Sequence, residues 1–278
     1  MSPSNVHDLF DRGGEMGRHM RAMDWSSTRL GEPSTWPQSL LTALSICLSS
    51  RFPMLLWWGP DLCVLYNDAY IPIFAQKHPW VLGRTGREAW GEVWDVIGPM
   101  FDRVMTSGEA TWSSDQLLVL TRKGFAEETY LTWSYSPILV ETAGVGGVFA
   151  AVIETTERVL GERRLSTLRA LSEQVAEAKD AHLACARAAA TLGETAADIP
   201  FALAYLLDED SDRAVLAGAV GVDRDSMVAP KRSGSMARIR RGRSRRRRRA
   251  VRAWSSHLKR HRRCRSRRAR GPSDASGR

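Results

Sequence analysis

Residues 52–66 (FPMLLWWGPDLCVLY) are two short apolar runs parted by Gly59, Pro60 and Asp61. Each run is too short for a stable helix and the Gly-Pro-Asp step is strong turn chemistry, so the pair predicts an antiparallel hairpin. Upstream, small hydroxyl residues and Pro37 at 34–37 signal a helix start, and Trp36, Leu40, Leu44, Cys47 and Leu48 supply its apolar face. Downstream, Asn67-Asp68 can cap a brief helix over 69–76. Trp90, Val93, Trp94, Ile97, Phe101 and Val104 then recur in steps of three and four, a stripe that Gly98-Pro99 should kink or divide.

Three more strands follow. One lies within 111–121, turned by Lys123-Gly124, and the second is YLTWSYS at 130–136. There Leu131, Trp133 and Tyr135 alternate strictly with Thr132, Ser134 and Ser136. Past a glycine-rich turn at 144–147, VFAAVI (148–153) reads as a buried strand. Five antiparallel strands with helices inserted after the second exclude a doubly wound sheet. They predict an α+β fold, a half-open barrel with helices covering one face and an apolar cavity of small-ligand size. The aromatic set Trp57, Tyr66, Tyr70, Phe74, Trp94, Trp133 and Phe149 is the candidate lining of that cavity, with plain core as the alternative.

Charge divides the chain in two. Residues 231–278 hold 21 Lys and Arg and one acid, whereas the preceding 230 residues hold 19 bases and 30 acids. The basic tail buries too little apolar surface to fold alone and is expected to be disordered. It can bind nucleic acid only non-specifically, with steep salt dependence. The abrupt change of composition near Pro230 also fits a message read out of frame, so a truncated or frameshifted product is expected. The apolar stretch at 52–66 is too short to span a bilayer, and the N-terminal residues hold no signal core, so a cytoplasmic protein is expected. Cys47, Cys63, Cys185 and Cys264 are widely spaced, which favours neither a disulfide framework nor a metal knuckle.

The order of elements, closed by VIETTERV at 152–159, resembles a PAS sensory domain. That octapeptide is similar to the D-I-T-E-R-type signature with which such domains pass from their last strand into an output helix, with Glu154 where Asp is usual. The segments 52–70, 130–138 and 23–40 resemble the PAS variety at the N-terminus of bacterial sensor histidine kinases. PFALAYLLD (200–208) and RAVLAGAVG (213–221) resemble the first hairpin of a GAF domain, which here is incomplete. The resemblance implies a flexible leader at 1–24, a PAS-like domain at 25–158 and a linker helix at 159–195. A GAF-like segment at 196–230 and the tail at 231–278 complete the division.

The implied function is the input module of a two-component signal transduction histidine kinase. Ligand or partner state would pass through Glu154, Thr155, Thr156 and Glu157 into the linker helix. Leu168, Leu171, Val175, Ala178 and His182 form the seam expected to pair two copies as a homodimer. The alternatives are a PAS-mediated interaction or dimerisation protein, or nucleic-acid binding through the tail. The chain lacks the kinase core: His182 is followed by Leu183-Ala184-Cys185 rather than an acceptor motif, and no ATP-binding boxes follow. The cofactor is unknown. Haem is not supported, because residues 87–105 contain no histidine, and flavin is not supported, because Cys63 lies outside the photoreceptor's Asn-Cys-Arg-type motif.

Overall fold

The computed structural model describes residues 3–141, 144–208, 213–222 and 232–233. The chain divides into two compact units, 1–163 and 164–278.

The first unit opens with helices α1 (Pro3–Asp11) and α2 (Gly14–Ala22), where the sequence predicts a loosely held leader. Val6, Phe10, Met16 and Met20 are buried in the main core. The amides of Glu15 and Met16 donate to the Asp68 carboxylate at 2.9 and 2.7 Å, so a side chain from the segment after β2 caps α2. Next comes α3 (Gln38–Ser49), starting a turn later than its signal because Trp36 and Pro37 stay extended.

The predicted hairpin forms as β1 (Met54–Trp58) and β2 (Cys63–Tyr66). Asn67 does not cap the segment that follows. Its buried side chain donates to the carbonyls of Cys47, Ser50 and Phe52 and accepts from the Met54 amide, fastening the end of α3 to β1. Short turns then lead through α4 (Ile71–Phe74) and α5 (Gly86–Trp90) to α6 (Trp94–Ser107). The predicted break at Gly98-Pro99 is absent, since α6 runs through Pro99. The division falls at Gly91–Val93, a tight turn between the indoles of Trp90 and Trp94.

Strands β3 (Thr111–Leu120), β4 (Glu127–Leu139) and β5 (Val145–Glu154) complete an antiparallel sheet of order β2-β1-β5-β4-β3. This is the expected α+β, PAS-like arrangement. Gly146 and Gly147 belong to β5 rather than to a turn. A Cβ on Gly147 would meet the Trp57 carbonyl at 2.4 Å and the Trp58 ring at 2.8 Å, so only glycine lets β5 pair so closely with β1.

Helix α7 (Thr156–Ala176) leaves β5 directly. The expected single linker helix is broken: Asp180 accepts from the Leu183 amide at 2.8 Å and starts α8 (Ala181–Gly193). In the second unit, α8 packs on the hairpin β6 (Ala202–Asp208) and β7 (Arg213–Val220), with β8 (Arg232–Ser233) beside β7. Apart from those two residues, the predicted basic tail lies outside the described residues. Among the described residues no helix is long and apolar enough to cross a membrane.

Candidate functional site

The register assigns the two faces of the sheet. Trp57 pairs with Val148, Leu55 with Tyr66 and Ala150, and Trp133 and Tyr135 with Val152 and Ala150. These residues share the face covered by α4 to α6. Leu56 pairs with Leu65 and Phe149, which therefore lie on the opposite face against α3. Phe149 accordingly cannot line the same interior as Trp57, which corrects that member of the predicted set.

The remaining aromatics meet, and they fill the cup. Phe101 stacks on Tyr135 at 4.3 Å and on Trp94 at 5.7 Å, and tilts against Trp57 at 4.5 Å. Tyr66, Tyr70 and Phe74 form a second cluster, with Phe74 stacked on Trp90 at 5.0 Å. A cavity of about 20 Å³ remains, lined by Trp57, Tyr70 and Trp133 of the expected set and by Trp90 and Tyr135. The small-ligand cavity expected from the sequence is thus closed by its own lining, leaving space on the scale of one water molecule. Trp57 Nε1 and Trp133 Nε1 are buried with no hydrogen-bond partner among the described residues.

Of the predicted transmission residues, Glu154 bonds a side chain that local sequence patterning does not mark. Arg122, in the turn between β3 and β4, is buried and forms a bidentate pair with Glu154 at 2.8 and 2.7 Å. The same guanidinium donates to Glu127 at 3.1 Å and to the Ile73 carbonyl at 3.2 Å, while the backbone carbonyl of Arg122 accepts from the Gln76 amide. One cation therefore binds the end of β5, the β3–β4 turn and the chain at α4. A bulge in β3 between Ser113 and Gln116 turns Asp115 towards the same junction, where it accepts from Thr155 Oγ1 at 2.7 Å and pairs with Arg158. Thr156 Oγ1 accepts from the Tyr130 amide at 3.0 Å and donates to Glu154 at 3.0 Å. Arg163, two turns into α7, pairs with Glu128 on β4 at 2.7 Å. Glu157 is exposed and stands outside this network.

Burial pushes the Glu154 carboxyl up, but the Arg122 hydrogen bonds and charge outweigh it and hold the group below the usual carboxylate range. Glu127 is likewise raised by burial and drawn lower overall by Lys123 and Arg122. On Asp115, hydrogen bonds from Arg158 and then Thr155 lower the carboxyl. Carboxylates depressed in the folded state stabilise it above their ordinary value of about 4 and lose that contribution as pH falls through the folded value. Urea midpoints are therefore expected to be level near neutrality and to fall below about pH 5, with a shallower fall in Glu154→Gln. Equal acid slopes for the two proteins would refute the role given to Glu154.

No family model matches the sequence, and no curated protein matches it. Solved structures with PAS or light-oxygen-voltage domains do. An RNA-binding light-oxygen-voltage receptor is 19% identical with a TM-score of 0.36, over 53% of this chain and 42% of that one. The PAS domain of Bordetella pertussis BvgS is 21% identical with a TM-score of 0.33, over 43% of this chain and 88% of that one. A sensory box sensor histidine kinase from Vibrio cholerae is 19% identical with a TM-score of 0.29, over 41% of this chain and 86% of that one. The chain spans less than half the length of the light-oxygen-voltage receptor. At such scores the fold rests on the strand order and helix placement themselves.

Proposed function

We propose that the first unit is a sensory input module of the two-component kind, which passes ligand or partner state from the sheet to α7. The observation that carries this reading is the Arg122–Glu154 clamp, which ties the last strand to the chain at α4 just before the output helix begins. Any rearrangement of the aromatic cup that moves α4 strains this clamp and biases α7 between two arrangements, a shift between pre-existing states. α7 buries none of its residues, and Leu165, Leu168 and Val175 are exposed along it. We assign that stripe to a second copy of the chain, paired in parallel through α7. Ala178 and His182 fall beyond the end of α7 and drop out of the seam. The β6–β7 hairpin is taken as the start of a GAF-like segment, and catalysis is assigned to a separate kinase core.

Thr156→Ala tests the junction. Removing the hydroxyl leaves the Tyr130 amide without its partner, a change worth about 1 kcal/mol. Hydrogen exchange is expected to quicken by roughly three- to ten-fold at Tyr130 and in the first turns of α7, with the cup unchanged. Native mass spectrometry of the same protein should report a dimer. Unaltered exchange in α7, or a monomer with α7 fully protected, would overturn the relay and the pairing respectively.

A further inference from the structure

The geometry points to a divalent transition-metal site formed by Glu15, His19 and His78, with Zn²⁺ as the ion its donors suit. The ligand atoms of these three residues lie within 4.8 Å of one another. Glu15 and His19 stand four apart on α2, so the helix presents both on one face, and Glu15 Oε1 is 3.9 Å from His19 Nε2. His78 reaches them from the loop after α4, its Nε2 3.2 Å from the same carboxylate oxygen. Tetrahedral ligands about 2.1 Å from a zinc ion are about 3.4 Å apart, so a small movement of the Glu15 and His19 side chains on α2 closes the set.

His78 is mostly buried, its amide is fixed to the Ala75 carbonyl, and its Nδ1 lies 2.9 Å from Tyr66 Oη. In the tautomer with the proton on Nδ1, that N–H donates to the Tyr66 phenol oxygen. That tautomer leaves the Nε2 lone pair free for an ion held between it and Glu15, the outer-sphere arrangement that orients histidine ligands in metalloproteins. The two imidazoles meet edge to face at 5.3 Å between centroids, so neither ring is displaced by the other. Two nitrogens and one carboxylate leave a coordination position open, and His19 also lines a hollow of about 690 Å³ beside Trp80 and Arg84 from which a water or an added donor can complete the set. A bound ion would cross-link α2 to the sensor body next to the Asp68 cap. This inference is independent of the relay through α7.

The test uses the full chain without an affinity tag, Zn²⁺ alone competed against a chromophoric chelator, and Co²⁺ as a spectroscopic probe. One site is expected, with Co²⁺ giving ligand-field bands of low-symmetry coordination. His19→Ala and Glu15→Gln lie on the surface of α2 and should each weaken Zn²⁺ binding by about ten-fold or more, with circular dichroism unchanged. His257→Ala/His261→Ala removes the one closely spaced histidine pair of the sequence and should bind as the parent does. Equal affinity in parent, His19→Ala and Glu15→Gln, loss of binding only in His257→Ala/His261→Ala, or no uptake by the parent would each overturn the assignment.

Discussion

Arg122→Met is expected to destabilise the first unit by about 3 kcal/mol, the lower end of the range for removing one partner of a buried ion pair. The lower end applies because Glu154 and Glu127 are not equally enclosed: their side chains are 31% and 13% exposed, against 4% for Arg122. Water can rehydrate Glu154, and Lys123 still pairs with Glu127 at 2.8 Å. What is lost without replacement is the donor to the Ile73 carbonyl and the bidentate hold on β5. The double variant Arg122→Met/Glu154→Met should recover much of the loss, because it strands no charge. Urea unfolding of the two variants and the parent measures both quantities. A single-variant cost below about 1 kcal/mol, or a double variant no better than the single, would remove the clamp from its central place.

The strands were legible because their evidence is local. Leu131, Trp133 and Tyr135 alternate with polar residues, and all three face the interior as that period requires. Phe149 obeys the same rule: it neighbours Val148 and faces the other way. Arg122 was illegible as a site because it sits in a Lys-Gly turn, and its partners Ile73 and Glu154 are 49 and 32 positions distant. The leader hid for the same reason. Val6 and Phe10, then Met16 and Met20, stand one turn apart in two nine-residue helices, each too short for its period to stand out, and the carboxylate that caps α2 lies 53 positions from the amide of Glu15. His78 reads as a loop residue beside Pro79, and only folding brings it to Glu15, 63 positions away. The volume of the cup was illegible in a different way. A count of aromatic residues measures how much material is available for a lining, whereas stacking distances decide whether that material leaves a hole.

Trp57→Ala puts that distinction to a direct test and should have the largest effect of all. The indole is fully buried, tilts on Phe101, meets Trp94 edge to face at 6.4 Å, and presses so close to Gly86 that a Cβ there would lie 2.5 Å from its ring. Truncation removes these contacts and should cost about 3–5 kcal/mol. The hole would join the existing 20 Å³ cavity, giving a space of roughly 100 Å³ or more, the scale on which an apolar cavity takes up benzene. Indole should then raise the unfolding temperature of the variant and leave that of the parent unchanged. Rigidity decides the outcome. If β1 and α6 keep their positions, the hole persists and is bound. If Phe101 and Trp94 slump into it, the cost drops below about 2 kcal/mol and indole has no effect. That second outcome would mean the stacked aromatics are a soft filling rather than a rigid frame, and a soft filling could not transmit strain from α4 to the clamp.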